Sequence, residues 1–253
     1  MELAAAPMIH CWYPNYNSDP SILICPSDAE ETVDDLKDDK GDWYFYRPRR
    51  NYKAGASYAY LGWMLDRLNH PSLPPVSINT FTALGSVASM FALEVPGDGL
   101  APQQFGACVE QILLEFLQHV GDANLGVSLC KIADTDWKVL PGQGNGGGEK
   151  IYRMKEGNER FLVTDVNNPQ TSAMAQSTIF AMMDLLGNLG KGVSFFNHLP
   201  GGCNVLFMDG HVDWIPYVPP APGQDNSVSM DLGATQPVLP SMANIIGLFT
   251  SLN

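Results

Sequence analysis

Positive charge is scarce in this sequence of 253 residues. Only 14 Lys and Arg stand against 27 Asp and Glu, which gives a formal net charge of −13. Nucleic-acid binding needs a basic surface that displaces counterions from phosphates, and adhesion to anionic lipid needs clustered lysines and arginines. The composition therefore excludes both classes of activity, and we expect no nucleic-acid partner.

Long apolar runs are also missing from the chain. No stretch approaches the roughly 20 consecutive apolar residues of a membrane-spanning helix. The first seven residues lack the basic and apolar regions of a secretory signal. Because core-type residues begin almost at once, at Met8-Ile9-His10-Cys11-Trp12-Tyr13, we expect the chain to be a fragment of a longer protein.

Paired cysteines with metal-binding or redox spacing do not occur. The five cysteines stand at positions 11, 25, 108, 130 and 203, and none belongs to a Cys-x-x-Cys pair. Zinc-ribbon and thioredoxin-like functions are therefore unsupported. Two interpretations stay open: bridges between Cys11 and Cys25 or between Cys108 and Cys130, or five small buried hydrophobes.

Motifs of known catalytic sites are lacking as well. There is no Gly-x-Ser-x-Gly nucleophile motif, and the Gly-rich residues 141–148 have no Lys-Ser or Lys-Thr after them. We therefore expect no enzymatic activity and no catalytic residues. The alternative is a metal-dependent hydrolase that uses His198, Asp209 and His211, since His and Asp are common metal ligands.

The sequence does contain enough apolar residues for a folded core, because 45 % of it is hydrophobic. The 24 Gly and 19 Pro indicate many loops. Residues 102–120 carry apolar side chains at three- and four-residue spacing and are predicted to form an amphipathic helix. Residues 78–93 are a second helical candidate. We expect an α+β fold with one domain over residues 1–220 and a Pro/Gly-rich extension over 221–253.

Short apolar segments predict the strands. They are residues 22–25, 57–65 (a strand or a helix start), 159–166 and 193–198, whereas 172–186 is interpreted as a short segment followed by a loop. Residues 204–208 and 211–215 predict a hairpin with Asp209-Gly210 as a two-residue type I′ turn. Its alternation places Val212 and Trp214 on a core face, opposite His211 and Asp213.

An acidic run occupies residues 28–42, with eight acids and two lysines. A solvated helix or loop is the simpler interpretation. The alternative is a calcium site, because Ca²⁺ takes six to eight closely spaced oxygen ligands, although the EF-hand pattern is absent. The candidate ligands are Asp28, Asp34, Asp35, Asp38, Asp39 and Asp42.

An aromatic stretch follows over residues 43–63. Exposed aromatic side chains can stack on sugars, which would make the protein a soluble carbohydrate- or protein-binding module. Packing in the core is the stronger interpretation, because these aromatics are interleaved with Ala, Gly and Leu.

Three segments together resemble a known family. Residues 13–28 contain Asp19-Pro20 and the motif Cys25-Pro26-Ser27-Asp28, residues 160–169 form a strand-and-turn pattern, and residues 196–212 run from His198 to Asp209-Gly210. In this order they resemble pilin-like proteins of the planctomycete type, which carry a prepilin-type cleavage and methylation segment and resemble the pseudopilins of type II secretion. The family places nine residues between the His and the Asp-Gly, and here there are ten, which a turn tolerates.

The resemblance implies a fold, a function and a location. It implies a pilin-like head, with helices packed on an antiparallel β-sheet with long loops, that acts as a structural subunit outside the cytoplasmic membrane. The partners would be other pilin-like subunits or secretion-system proteins, and the full-length form would be anchored in the inner membrane by an N-terminal helix that this chain lacks. Pseudopilins often hold calcium, which adds Asp165 and Asn167 to the candidate ligands. The motif residues are Cys25, Pro26, Ser27, Asp28, His198, Gly202, Asp209, Gly210 and His211.

Overall fold

The computed structural model describes residues 12–28, 31–45, 55, 57–90, 95, 99–158, 176–188, 193–198, 201–217 and 236–250. The α-helices are α1 (Thr82–Met90), α2 (Gln103–His119), α3 (Leu125–Ala133) and α4 (Pro240–Thr250). The strands are β1 (Tyr58–Tyr60), β2 (Val76–Ser77), β3 (Leu100–Ala101), β4 (Trp137–Lys138), β5 (Lys150–Ile151), β6 (Phe180–Asp184), β7 (Leu186–Asn188), β8 (Val193–Phe196), β9 (Gly202–Phe207) and β10 (Val212–Pro216).

The main sheet has four antiparallel strands in the order β1-β6-β9-β10. One row of paired residues crosses the sheet: Ala59 of β1 pairs with Met183 of β6, which pairs with Val205 of β9, which pairs with Asp213 of β10. Strand β6 is therefore central, and the expectation of a loop before residue 186 is wrong. The methionines of β6 are not β-branched, so the local composition does not indicate a strand. Pairing with β1 and β9 stabilises this strand instead.

One hydrophobic core joins the helices to this sheet. Phe105 and Phe116 of α2 are buried in the same cluster as Met183 of β6, with Val205 and Phe207 of β9. The protein is thus an α+β fold, as the sequence predicted. The Gly-rich residues 141–148 connect the antiparallel strands β4 and β5.

The helix predicted over residues 102–120 is confirmed as α2, with Pro102 at its N-cap. Helix α1 covers part of the second candidate and follows a short 3-10 helix, Ile78–Thr80. The Glu110 carboxylate of α2 accepts hydrogen bonds from the backbone nitrogens of Ala83 and Leu84 at the start of α1. The two helices are therefore linked by a side chain as well as by apolar packing.

A smaller hydrophobic cluster lies in the N-terminal segment, where Leu23, Ile24, Leu36 and Phe45 are buried together. Residues 22–25 are not the predicted strand, because Pro20–Leu23 is a 3-10 helix. Its N-cap is Asp19, whose carboxylate accepts from the Ser21 nitrogen. A proline in the first turn and an Asp cap together favour a helical turn over extended chain. Burial of Phe45 supports the core-packing interpretation of the aromatic stretch.

The predicted hairpin is confirmed as β9 and β10, but its turn differs. The Gly210 nitrogen donates to the Phe207 carbonyl and the Phe207 nitrogen donates to the His211 carbonyl, both at 2.9 Å. The loop therefore has three residues, not two, and Gly210 at φ +90° is its left-handed position. The face assignment was wrong as well, since Val212 and Trp214 are exposed on β10, an edge strand.

The C-terminal helix α4 belongs to the main core, where Met242, Ala243 and Ile245 are fully buried. The Asn244 side-chain amide donates to the Leu100 carbonyl of β3 at 2.8 Å. The boundary predicted at residue 220 stays a prediction. Among the described residues, no helix combines the length and apolarity that a bilayer span requires.

The described cysteines are all unbridged, so Cys108 and Cys130 form no disulfide. Cys25, Cys108 and Cys203 are buried, as the interpretation of cysteines as small hydrophobes requires. Cys130 is exposed and contradicts it. Cys11 lies outside the described residues.

Candidate functional site

Three side chains from distant parts of the chain meet where the N-terminal segment contacts the main sheet. Cys25 follows the 3-10 helix Pro20–Leu23, and Asp184 is the last residue of strand β6. His198 precedes β9 and forms an isolated antiparallel bridge with Gly202, the first residue of that strand. One potential metal-ligand atom from each side chain lies within 4.8 Å of the others. This Cys25–Asp184–His198 group is the candidate site.

The imidazole nitrogen Nε2 of His198 lies at the centre of the contacts. It is 3.2 Å from Cys25 Sγ and 3.1 Å from Asp184 Oδ2. The Asn204 amide nitrogen Nδ2 lies 3.1 Å from the same imidazole nitrogen and 2.9 Å from the same carboxylate oxygen. The Asn204 backbone nitrogen also donates to Asp184 Oδ2, at 2.6 Å. Four polar groups thus crowd around one point.

Burial governs the electrostatics of the site. Asp184 is 1 % exposed and Cys25 is 3 % exposed. Burial raises the pKa of Asp184, while the Asn204 hydrogen bonds and His198 act in the opposite direction. Burial also raises the pKa of the Cys25 thiol, and it raises the pKa of Tyr58, whose hydroxyl contacts that thiol, to about 12. A buried site of this kind favours neutral forms unless a cation is near.

The motif Cys25-Pro26-Ser27-Asp28 is held against the sheet by hydrogen bonds. The Asp28 nitrogen donates to the Cys25 carbonyl at 2.9 Å, which closes a turn. The Ser57 hydroxyl, next to β1, donates to Asp28 Oδ2 at 2.7 Å. Pro26 and Ser27 are exposed at the turn itself. The turn therefore aims Cys25 inward and anchors its own end on the sheet.

The other side of the imidazole is packed against the hairpin. The ring of Trp214 meets the His198 ring edge to face, with centroids 5.5 Å apart. A Cβ at Gly202 would lie 2.5 Å from a ring carbon of Trp214, so only glycine fits there. Gly202 thus allows Trp214 to lie beside the imidazole.

The structure brings together some of the predicted motif residues and separates others. Cys25, Asp28, His198 and Gly202 gather at or beside the site. Asp209 and His211 pair with each other at the exposed hairpin turn, Oδ1 to Nδ1 at 2.5 Å. The alternative metal site of His198 with Asp209 and His211 is therefore wrong for the described residues, since His198 groups with Cys25 and Asp184.

The candidate calcium ligands act within local turns. Asp35 Oδ2 accepts from the Thr32 nitrogen and hydroxyl, and Asp38 Oδ1 accepts from the Asp42 nitrogen. Asp34 forms an ion pair with a lysine; Asp39 is exposed. Asp165 and Asn167 lie outside the described residues. None of these acids belongs to the ligand group found in the described part of the chain, and calcium binding stays a prediction.

Two members of the site were missed by sequence reasoning. Asp184 lay in a segment interpreted as a loop, and Asn204 was only part of a quoted motif. A single acid between Met183 and Leu185, inside an apolar run, was the available signal. Charged residues inside such a run are rare without a buried partner.

A second polar group lines an open cavity of about 330 Å³ beside α2 and α3. There, Asp122 Oδ2 accepts from the Ser128 hydroxyl at 2.7 Å and lies 2.8 Å from His119 Nδ1. These contacts lower the pKa of Asp122. Since the hydroxyl donates to the carboxylate and not to the imidazole, this arrangement does not activate a serine nucleophile.

Comparison with known proteins adds no relative: no family model matches the chain, and neither a curated protein nor a solved structure matches it significantly.

Proposed function

We propose that this chain is the extracytoplasmic globular head of a pilin-like or pseudopilin-like subunit, with a structural role in an assembly. The observation that carries the proposal is the contact of Cys25 with His198. These residues belong to two motif segments that are 173 positions apart in the chain, and their side chains lie 3.2 Å from each other. Two of the three segments that resemble the family are thus in direct contact, and the third, residues 160–169, lies outside the described residues.

The burial of this contact favours a structural role over catalysis. Cys25 and Asp184 are almost fully enclosed, and the contacts of both tie one chain segment to another. A nucleophile or general base must instead reach a substrate. The motif residues therefore support the head itself, with its N-terminal segment fixed to the sheet.

The edge strand β10 supports assembly with other subunits. Trp214 is 43 % exposed on this strand, and Val212 is exposed beside it. An edge strand presents unpaired backbone groups, and exposed apolar side chains on it favour contact with another chain. The partners on this proposal are other pilin-like subunits or proteins of a secretion system.

The coding DNA upstream of Met1 is the first test. On this proposal it encodes, in frame, a short basic leader, a Gly-Phe-Thr-Leu-x-Glu-like cleavage site and a long apolar helix. A stop codon close upstream would contradict the assembly role and favour a free binding module.

The mature protein in source cells gives the second test. Mass spectrometry of the membrane and surface-fibre fractions should detect a processed, N-methylated end. Recovery of this protein only from the cytosol, with an unprocessed end, would overturn the proposal.

A further inference from the structure

We propose that Cys25, Asp184 and His198 form a binding site for a transition-metal ion, and that Zn²⁺ is the ion that fits their donor atoms best. The inference rests on these side chains alone and does not depend on the proposed assembly role. Thiolate and imidazole donors favour zinc over the hard cations Ca²⁺ and Mg²⁺, which take oxygen ligands. The site is therefore distinct in chemistry from the calcium site predicted for the acidic run.

Two of the three donor-atom distances lie close to those around a tetrahedral ion. With Zn–S near 2.3 Å and Zn–N and Zn–O near 2.1 Å, tetrahedral angles place sulfur and nitrogen about 3.6 Å apart and nitrogen and oxygen about 3.4 Å apart. The observed separations are 3.2 Å from Sγ to Nε2 and 3.1 Å from Nε2 to Oδ2. These two pairs would therefore open by a few tenths of an ångström to admit the ion, and the sulfur already lies within 4.8 Å of a carboxylate oxygen.

Without a metal, the single proton or lone pair on His198 Nε2 cannot serve all of its polar neighbours at once. This nitrogen has either one proton to donate or one lone pair, yet Cys25 Sγ, Asp184 Oδ2 and Asn204 Nδ2 all lie within 3.2 Å of it. As a donor it can bond to Asp184 Oδ2 and leaves the Asn204 amide nitrogen beside it unmatched, and as an acceptor it leaves the carboxylate oxygen unmatched. A cation between the sulfur, the nitrogen and the oxygen uses all three donor atoms at once.

A thiol–imidazole catalytic pair explains the same residues less well. In a nucleophile–base–carboxylate arrangement, the nucleophile and the carboxylate bind opposite nitrogens of the imidazole. Here Cys25 and Asp184 approach the same nitrogen. This convergence is typical of metal ligands, and the burial of Cys25 also separates the thiol from any substrate.

Supporting contacts hold the ligands in place, as in established metal sites. The Asn204 backbone nitrogen fixes the carboxylate of Asp184, and Trp214 fixes the plane of the His198 ring. The Asn204 amide lies beside both ligands. A half-turn of this amide, whose oxygen and nitrogen are interchanged by the rotation, offers Oδ1 as a fourth ligand. Binding would release the Cys25 proton to solvent and join the N-terminal segment to the sheet.

The test uses Co²⁺ and Zn²⁺ with the whole chain under a non-thiol reductant. One equivalent of Co²⁺ should give the near-ultraviolet thiolate-to-cobalt charge-transfer band and the intense visible bands of tetrahedral cobalt. Competition with a chromophoric chelator then gives the zinc affinity. Zinc, unlike calcium at the same concentration, should raise the melting temperature of the wild-type chain by an amount set by its concentration over the dissociation constant.

Matched variants assign the ligands. Cys25→Ser should abolish the charge-transfer band, and His198→Gln and Asp184→Asn should each weaken zinc binding at least tenfold. Cys130→Ser, which removes the exposed cysteine away from the site, should leave the band and the affinity unchanged. Circular dichroism checks that each variant is folded, and His198→Gln keeps the test decisive if Cys25→Ser does not fold.

Two results would overturn the proposal. One is a folded wild-type chain that shows no thiolate-to-cobalt band with stoichiometric Co²⁺. The other is a band that disappears in Cys130→Ser and persists in Cys25→Ser, since the metal would then bind adventitiously at the exposed thiol. The upstream DNA and the fractionation test are unaffected by either result, so failure here is separate from failure of the proposed function.

Discussion

Several ionisable side chains of this protein are buried, and burial changes their pKa values. Asp184 is the clearest case, since a buried carboxylate is destabilising unless hydrogen bonds or an opposite charge compensate for the lost water. Here two groups of Asn204 and the imidazole of His198 surround it. Burial raises the pKa of Asp184. At the hairpin turn, by contrast, two hydrogen bonds from His211 lower the pKa of the exposed Asp209.

Burial of Tyr217 makes a prediction for alkaline pH. The pKa of its hydroxyl is raised to about 12 in the folded chain, whereas the unfolded chain loses this proton near pH 10. Between these values the unfolded state binds fewer protons, so the free energy of unfolding falls as pH rises. We expect Tyr217→Phe to lose less stability than the wild type between about pH 10 and about pH 12, measured by urea unfolding.

The control for this prediction is Tyr16→Phe. Tyr16 is 87 % exposed, so its hydroxyl meets water in both states and the substitution should leave the pH dependence of the wild type in place. Equal slopes for the Tyr217→Phe variant and the wild type would show that burial of Tyr217 does not contribute to the alkaline loss of stability.

At the scale of the elements, helix packing decides how a glycine position tolerates a side chain. Gly106 in α2 lies under the ring of Phe81, and a Cβ there would be 2.1 Å from a ring carbon. At Gly126 in α3, no atom of the described residues outside the glycine's own helix and chain neighbours lies within 4 Å of the same position. The two helical glycines therefore differ in what their helices pack against.

The same substitution should act in opposite directions at these two sites. Gly106→Ala forces the Phe81 ring to move and should lower the free energy of unfolding by about 1–3 kcal/mol. Gly126→Ala should raise it by about 0.5–1 kcal/mol, because alanine loses less backbone entropy in a helix. Thermal and urea unfolding of the two variants provide the measurement, and a stabilised Gly106→Ala variant would contradict the packing of the Phe81 ring on α2.

At the scale of the whole molecule, distant parts of the chain complete one core. Helix α4 packs on β7 and β3, and its apolar residues are in the same cluster as those of α2 and the main sheet. The N-terminal segment has its own small cluster and meets the sheet through Cys25 and His198. Stability therefore depends on contacts between residues that are far apart in sequence.

Truncation of a side chain in α4 tests this dependence. Ile245 is fully buried, so Ile245→Ala should lower the free energy of unfolding by about 2–5 kcal/mol through lost burial and a residual cavity. Val127→Ala, at an exposed position of α3, should change it by no more than about 0.5 kcal/mol. Chemical denaturation of both variants gives the comparison. Equal effects would mean that α4 does not belong to the cooperative core.

Local patterns in the sequence predicted the elements that depend on local physics. Helix α2 follows from its apolar spacing, and the hairpin of β9 and β10 follows from two apolar runs around Asp209-Gly210. The α+β class follows from their combination. Residues 22–25 were mistaken for a strand, because their apolar run was given more weight than Pro20 and the Asp19 cap of the 3-10 helix Pro20–Leu23.

Features that depend on partners distant in the sequence were decided only by the tertiary structure. Strand β6 exists because β1 and β9 pair with it, and Val212 and Trp214 are exposed on β10, the last strand of the described sheet. The sequence by itself determined the helical period, the hairpin and the motif residues Cys25 and His198. Asp184 joins these two residues because β6 pairs with β1, a strand more than 120 residues earlier in the chain. No local sequence pattern encodes the register of that pairing.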